Sequence, residues 1–195
     1  EYFIESLKEL LKVDYKWVPE KKGCSLYIRP LIFATDNFLG VKISDTYRFL
    51  IMTSPVGSYF KEGLSPTSLM TSGEYIRAAK GGTGEAKTPG NYASSLLPLQ
   101  IAKEKGFTQV LWLDAKENKY IDEVGTTNIF FVIGEDLVTP PLDGTILNGV
   151  TRASVIEIAN DMDLKVIEKQ ISIDEVFEYS EKGLLKEAFG TGTAA

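Results

Sequence analysis

The stretch SPVGSYFKEGLSPTS, residues 54–68, is dense in glycine, proline and serine and interrupts the regular patterns on both sides. Such a composition is typical of a connection between folded units. We therefore place an interdomain loop at residues 59–67, with one unit over residues 1–58 and another over residues 68–195. A chain of 195 residues that is 44% hydrophobic has enough apolar material for such cores.

Before this connection the sequence predicts one helix, at IESLKELLKV, and two strands, at SLYIRPLIFA and RFLIMTS. After it we predict strands at GEYIRAA, QVLWLD, KYIDEVG, TNIFFVIG, LKVIEK and LLKEAFGTG. Helices are predicted at ASSLLPLQIAKEKG, VTRASVIEIANDM and SIDEVFEY, the last with a capping box from Ser172 and Glu175. The pattern indicates a mixed α/β (α+β) fold.

Charge and hydropathy exclude several classes of partner. The net charge of −6 would repel a phosphate backbone, so we expect no nucleic-acid partner. The longest apolar stretch, around NIFFVIG, is far shorter than a membrane span, and the first ten residues carry acids where a signal peptide carries lysines. We expect no membrane association and a cytoplasmic location. Cys24 is the single cysteine, so neither an internal disulfide nor a Cys-rich zinc site is possible.

The chain contains no histidine. This excludes Ser-His-Asp and Cys-His nucleophiles and histidine-built metal sites, and we expect no metal. Acid-base chemistry must then come from Lys, Glu, Asp, Tyr or a cofactor. A lysine with a lowered pKa that bonds covalently to a carbonyl is one of the few remaining routes to strong catalysis.

One lysine lies in a glycine-rich stretch, GGTGEAKTPGNY, residues 81–92. The part from Gly81 to Thr88 approaches a phosphate-binding loop, which would make the chain a nucleotide-binding module. Ala86 replaces the expected glycine, however, and Pro89 follows where a helix should already be running. A glycine-rich surface turn with a solvated lysine is the other alternative, and it would suit a non-catalytic interaction domain.

Seven ordered blocks together resemble the branched-chain amino-acid aminotransferases, which are fold-type IV enzymes of the class IV aminotransferase family and use pyridoxal 5′-phosphate. The blocks are YIRP, SPVGSYF, KGGTGEAKTPGNYASSL, QVLWLD, EVGTTNIFF, PPLDGTILNGVTR and FGTGTAA. The resemblance implies that residues 1–58 are the C-terminal half of a small α/β domain. Residues 68–195 would be a large, pseudo-barrel cofactor-binding domain, incomplete at its C-terminus.

The resemblance also assigns roles around the cofactor. Lys87 matches the lysine that bonds to the cofactor aldehyde and later moves the proton at the substrate Cα. Glu123 matches the carboxylate facing the pyridine nitrogen, and Tyr92 the phenol at the cofactor 3′-oxygen. The phosphate would be held where a helix begins, which is an anion-binding position; the residues that match are Gly149, Val150, Thr151 and Thr193. The family's phosphate-binding arginine is expected upstream of residue 1.

Substrate contacts and assembly follow from the same resemblance. The residues implied to contact the substrate are Tyr27, Arg29, Tyr59, Thr126, Thr193 and Ala194. Leu39, Gly40 and Val41 match a loop that enters the neighbouring subunit's site, which implies a homodimer.

The implied reaction exchanges an amino group between leucine, isoleucine or valine and 2-oxoglutarate, so that the partners are amino acids and 2-oxo acids. Within the fold, a D-amino-acid transaminase and an aminodeoxychorismate lyase are the alternatives.

Overall fold

The structure is a computed structural model that describes residues 1–57 and 66–193. The chain divides into two compact units, Glu1–Leu64 and Ser65–Ala195. Within the described ranges, no helix has both the length and the apolar character needed to cross a membrane.

The first unit contains one helix and two strands, as predicted, and the two strands form an antiparallel sheet. Helix α1 spans Tyr2–Asp14 and a single 3₁₀ turn follows at Tyr15–Trp17. Strands β1 (Ser25–Ala34) and β2 (Tyr47–Val56) pair along their full lengths. The Thr53 hydroxyl donates to the Asp14 carboxylate at 2.5 Å, which joins the end of α1 to β2.

The connection between β1 and β2 is organised by Asp36. Its carboxylate accepts hydrogen bonds from the Thr46 hydroxyl at 2.7 Å and from the Asp45 amide at 3.0 Å, and it pairs with Lys42 at 2.7 Å. These contacts, led by the one with Lys42, hold the pKa of Asp36 well below its usual range. Leu39 and Val41 lie in the same connection, and their side chains are fully exposed.

The second unit contains two sheets and four helices in its described part. A three-stranded sheet has the order β3-β4-β5, and a four-stranded sheet has the order β8-β7-β6-β9. The strands are β3 Leu69–Thr71, β4 Gln109–Leu113, β5 Ile121–Val124, β6 Asn128–Ile133, β7 Asp136–Thr139, β8 Val166–Glu168 and β9 Leu185–Thr191. The helices are α2 Pro89–Ala93, α3 Leu96–Glu104, α4 Val150–Asp161 and α5 Ile173–Glu181.

Strand β6 carries core residues on both of its faces. Phe131 packs in a cluster with residues of β4, β5 and β7, whereas its neighbour Phe130 packs with Leu137 and Ala159. Successive side chains of a strand point to opposite faces, so both faces of the sheet are covered at this strand. That position explains the nearly continuous apolar run of TNIFFVIG.

Two predictions about local structure are wrong. GEYIRAA, predicted as a strand, forms bends, because the Ser72 hydroxyl accepts the Tyr75 amide at 2.9 Å and turns the chain. The strand of this region is β3, a few residues earlier. Helix α2, which runs through Gly90, was also not expected, because Gly90 was predicted to interrupt the chain; proline suits the first helical position because its missing N–H has no partner there. Strand β7 was not predicted.

Candidate active site

The loop that carries Lys87 is fastened by Asn91 of helix α2. The Asn91 amide donates to the carbonyls of Thr83 and Ala86 at 2.7 and 2.9 Å. The Thr83 hydroxyl donates to the Asn91 side-chain oxygen at 2.7 Å. Thr88 is extended and α2 is only five residues long, so the long helix that follows a phosphate-binding loop is not formed here.

Lys87 is exposed, and its Nζ lies 5.4 Å from the centroid of the Tyr92 ring. This distance is within the range of a cation–π contact. Burial raises the pKa of Glu123, and the positive charge of Lys87 is among the groups that oppose this rise, so the two side chains interact electrostatically. Lys87 thus lies beside Tyr92 and its charge acts on Glu123; these are the three side chains that the resemblance assigns to the cofactor ring and its aldehyde.

Glu123 is 4% exposed, on strand β5. Its Oε1 accepts hydrogen bonds from the Leu147 amide at 3.0 Å and from the Asn128 side-chain amide at 3.3 Å. Its Oε2 lies 3.4 Å from the Nε of Arg77. Burial raises the pKa of Glu123 to about 7, and the charge of Arg77 opposes this rise. A carboxyl group with this pKa can exist in either protonation state near neutral pH.

A small cavity lies beside Glu123 and contains both predicted and unpredicted residues. Its lining is Arg77, Gly84, Ala86, Asn91, Tyr92, Ser95, Glu123, Gly125, Thr126 and Leu147. Tyr92, Glu123 and Thr126 therefore face one space, as a shared site requires. Lys87 does not itself line this cavity in the described structure, although its neighbour Ala86 does.

Helix α4 begins beside the same cavity. Gly149 is the residue before its first turn, which starts at Val150. The Asn128 side chain donates to the Leu147 carbonyl at 2.9 Å, and a Cβ at Gly149 would lie 2.3 Å from the Asn128 side-chain oxygen. The close approach of Asn128 thus requires a glycine there. The first amides of α4 have no partner within the helix and carry its positive end.

The remaining predicted residues are distributed over both units. Tyr27 and Arg29 lie on β1 and contact each other, with Arg29 Cζ 5.0 Å from the Tyr27 ring centroid. Thr193 is exposed, two residues beyond the end of β9. Tyr59 and Ala194 lie outside the described residues.

Sequence reasoning missed Arg77, Asn128 and Asp122. Asn128 opens the apolar run of β6, and Arg77 interrupts an apolar segment, so each is a polar residue in apolar surroundings. Asp122 is buried beside Glu123, and burial raises its pKa to about 6 while Arg77 opposes this. A polar residue within an apolar run was the available signal, but sequence alone does not identify its partners.

The fold and the site together define a class of enzyme. A family model described as amino-transferase class IV matches residues 2–194. The chain therefore belongs to the class IV aminotransferase family.

Two curated relatives are similar to the chain over its whole length. The chain is 57% identical over 195 residues to branched-chain-amino-acid aminotransferase 2 of Bacillus subtilis (strain 168), covering 100% of this chain and 54% of that protein. The second B. subtilis relative, branched-chain-amino-acid transaminase 1, is 54% identical over 196 residues, covering 100% of this chain and 55% of that protein. The chain thus spans about half the length of the curated relatives it matches.

Solved structures agree with the fold. A branched-chain aminotransferase from Thermoproteus uzoniensis, in complex with norvaline, has a TM-score of 0.80 at 28% identity, covering 98% of this chain and 61% of that one. An aminotransferase from Brucella abortus bound to the cofactor PLP has a TM-score of 0.78 at 25% identity, covering 97% and 64%. The expected fold class, a mixed α/β fold-type IV enzyme, is confirmed.

Proposed function

We propose that the protein carrying this chain is a pyridoxal 5′-phosphate-dependent aminotransferase that acts on leucine, isoleucine and valine, with 2-oxoglutarate as the second substrate. The observation that carries the proposal is the buried carboxylate of Glu123, which lies beside the cavity between the Lys87 loop and the start of α4. The names of the B. subtilis relatives and of the T. uzoniensis structure support the substrate class. The PLP in the B. abortus structure supports the cofactor.

The described residues fit this cofactor by the chemistry of their donors and acceptors. The first amides of α4, at Val150 and Thr151, suit a phosphate because they add unpaired N–H groups to a positive helix end. Glu123 supplies an acceptor for a protonated ring nitrogen, and Lys87 supplies an amine for an aldehyde. Tyr92 supplies a phenol that lines the same cavity. When bound, the cofactor supplies an electron sink for the negative charge that develops at the substrate Cα.

Each of these side chains has a separate task. Lys87, an exposed amine on a flexible stem, would take the proton from the substrate Cα and deliver it to the cofactor C4′. Glu123 would hold a positive charge on the ring nitrogen, which it can do only as a carboxylate. Asn128 and the Leu147 amide occupy Oε1 of Glu123 and so fix the direction of Oε2.

Several finer assignments belong to the same proposal and rest on the resemblance. They are the substrate contacts of Tyr27, Arg29, Tyr59, Thr126, Thr193 and Ala194, and the phosphate contact of Thr193. They also include the homodimer with its loop Leu39–Val41, the cytoplasmic location, and the domain limits at residues 58 and 68.

The test uses the full-length protein incubated with pyridoxal 5′-phosphate, reduced with borohydride and mapped by peptide mass. We expect the pyridoxyl group on Lys87. Lys87→Ala should abolish the label, whereas Lys80→Ala should retain it. Lys80 is a matched control from the same loop, 69% exposed and paired with Asp143. Labels spread over surface lysines would contradict the proposal.

Substrate class is tested separately by single-turnover absorbance changes. Leucine, isoleucine and valine should each convert the cofactor to its amino form, and 2-oxoglutarate should restore it. Conversion by D-alanine but not by L-leucine would instead support a D-amino-acid transaminase. Release of pyruvate from aminodeoxychorismate would support the lyase.

A further inference from the structure

The guanidinium of Arg77 is buried where three segments of the second unit meet. The side chain is only 7% exposed. It donates to the Thr145 carbonyl, on the segment that leads to α4, and to the Gly84 carbonyl at 3.5 Å, on the Lys87 loop. On its third side its Nε faces Glu123 Oε2 on β5. Each segment that Arg77 contacts carries one of the groups proposed to hold the cofactor.

The contact between Arg77 and Glu123 is ionic rather than a good hydrogen bond. The Nε–Oε2 distance is 3.4 Å, and Nε makes no hydrogen bond with any described residue. Both donors close to Glu123, the Leu147 amide and the Asn128 side chain, bind Oε1 instead. The charge of Arg77 therefore acts on the carboxylate while Oε2 retains accepting capacity toward the cavity that both residues line.

Glu123 needs such a charge, because burial favours its neutral form. Burial raises its pKa to about 7 and Asp122 adds to the rise, while Arg77, the Leu147 amide and Lys87 oppose it. Tyr92 is the other titratable side chain that lines the cavity. Among the groups that oppose the rise in the pKa of Glu123, Arg77 has the largest effect. Arginine also stays protonated at all relevant pH values.

We infer that Arg77 is a positioning residue, whose buried guanidinium favours the carboxylate form of Glu123 and leaves Oε2 available to a protonated ring nitrogen. The role at the ring nitrogen rests on the proposed function. The effect on the charge of Glu123 does not, because it is a property of the protein without cofactor. A guanidinium suits this position because its planar fork can serve two carbonyls and still present charge to a third side.

The experiment is a pH titration of Glu123 in the full-length, cofactor-free protein, followed by NMR of ¹³C-carboxyl-labelled glutamate. Glu123→Gln identifies the resonance. Arg77→Gln removes the charge but keeps a polar amide, and Arg77→Lys keeps the charge. Arg152→Met is the matched control, because Arg152 is another buried arginine of this unit, 3% exposed and paired with Glu168.

We expect Arg77→Gln to raise the titration midpoint of Glu123 by roughly one to three pH units, the usual effect of losing a close opposite charge. Arg77→Lys and Arg152→Met should leave the midpoint within about half a pH unit of the original. An unchanged midpoint in Arg77→Gln, or an equal rise in Arg152→Met, would overturn the inference. If Arg77→Gln does not fold, a midpoint in Arg77→Lys raised by a full unit or more overturns it in the same way.

A second measurement separates this inference from the proposed function. The ¹⁵N shift of ring-labelled cofactor reports the protonation of its nitrogen in the loaded protein. Loss of that proton at a lower pH in Arg77→Gln than in the unmodified protein supports the role at the ring. If Lys87 takes the cofactor but the ring proton is insensitive to Arg77→Gln, the proposed function stands and the role of Arg77 at the ring fails. If Lys87 takes no cofactor, both that role and the proposed function fail, and the titration of Glu123 still decides whether Arg77 sets its charge.

Discussion

Gly84→Ala is expected to destabilise the second unit, because the loop that carries Lys87 approaches the chain before α4 at this residue. A Cβ at Gly84 would lie 2.4 Å from the Thr145 carbonyl oxygen and 2.5 Å from the Ala78 Cβ. Carbon contacts are favourable at about 3.5 to 4.0 Å, so the two segments must separate by roughly 1 Å. Overpacking of this kind costs about 1–3 kcal/mol.

The matched control is Gly90→Ala, from the same glycine-rich stretch. Gly90 lies in helix α2, and an added Cβ there would have no described atom within 4 Å. Alanine is favoured over glycine inside a helix by roughly 0.5–1 kcal/mol. The free energies of unfolding of the two variants should therefore differ by roughly 1.5 to 4 kcal/mol, measured by urea denaturation of the full-length protein. Equal stability of the two variants would refute the close approach at Gly84.

Three further outcomes are expected from the same denaturation assay. Trp112→Phe should cost about 1–3 kcal/mol, because the Gly125 carbonyl loses the buried indole N–H that donates to it at 2.9 Å; no loss would contradict this. Ser172→Ala should cost about 1 kcal/mol by removing the cap of α5, whereas Ser154→Ala, in the middle of α4 and exposed, should cost less. Asp122→Asn should flatten the dependence of stability on pH between 4 and 6: burial raises the pKa of Asp122 from 3.8 to about 6, so its contribution is full below pH 3.8 and is lost as pH rises through 6. An identical pH profile in this variant would contradict the burial effect.

Local signals in the sequence predicted most of the helices and strands. The capping box of α5 is complete, since Ser172 accepts the Glu175 amide and Glu175 accepts the Ser172 amide. Helices α1 and α4 follow from the spacing of their apolar residues. These features depend on neighbours within a few positions, which is why sequence alone specifies them.

The site was predictable only where a family resemblance supplied the roles. Lys87 lies near the Tyr92 ring, and Tyr92 and Glu123 line one cavity, but the roles that the resemblance assigns to them stay predictions. The structural partners of Arg77 could not be predicted, because one of them, Thr145, is 68 residues away in the sequence. The prediction of a strand at GEYIRAA was wrong for a related reason. The segment is largely apolar in composition, but it turns, and Arg77 thereby reaches these partners.

The central position of β6 has a consequence for motion. Strands β7 and β9 pair with it on its two sides, and Phe130 and Phe131 are both at most 2% exposed. Backbone amides in such a strand open rarely, and we expect them to exchange with deuterium more slowly than those of the exposed Lys87 loop. Asn128, which helps to hold Glu123, is on the slowly opening strand. In the proposed reaction the carboxylate would thus stay fixed while the amine moves with the proton that it transfers.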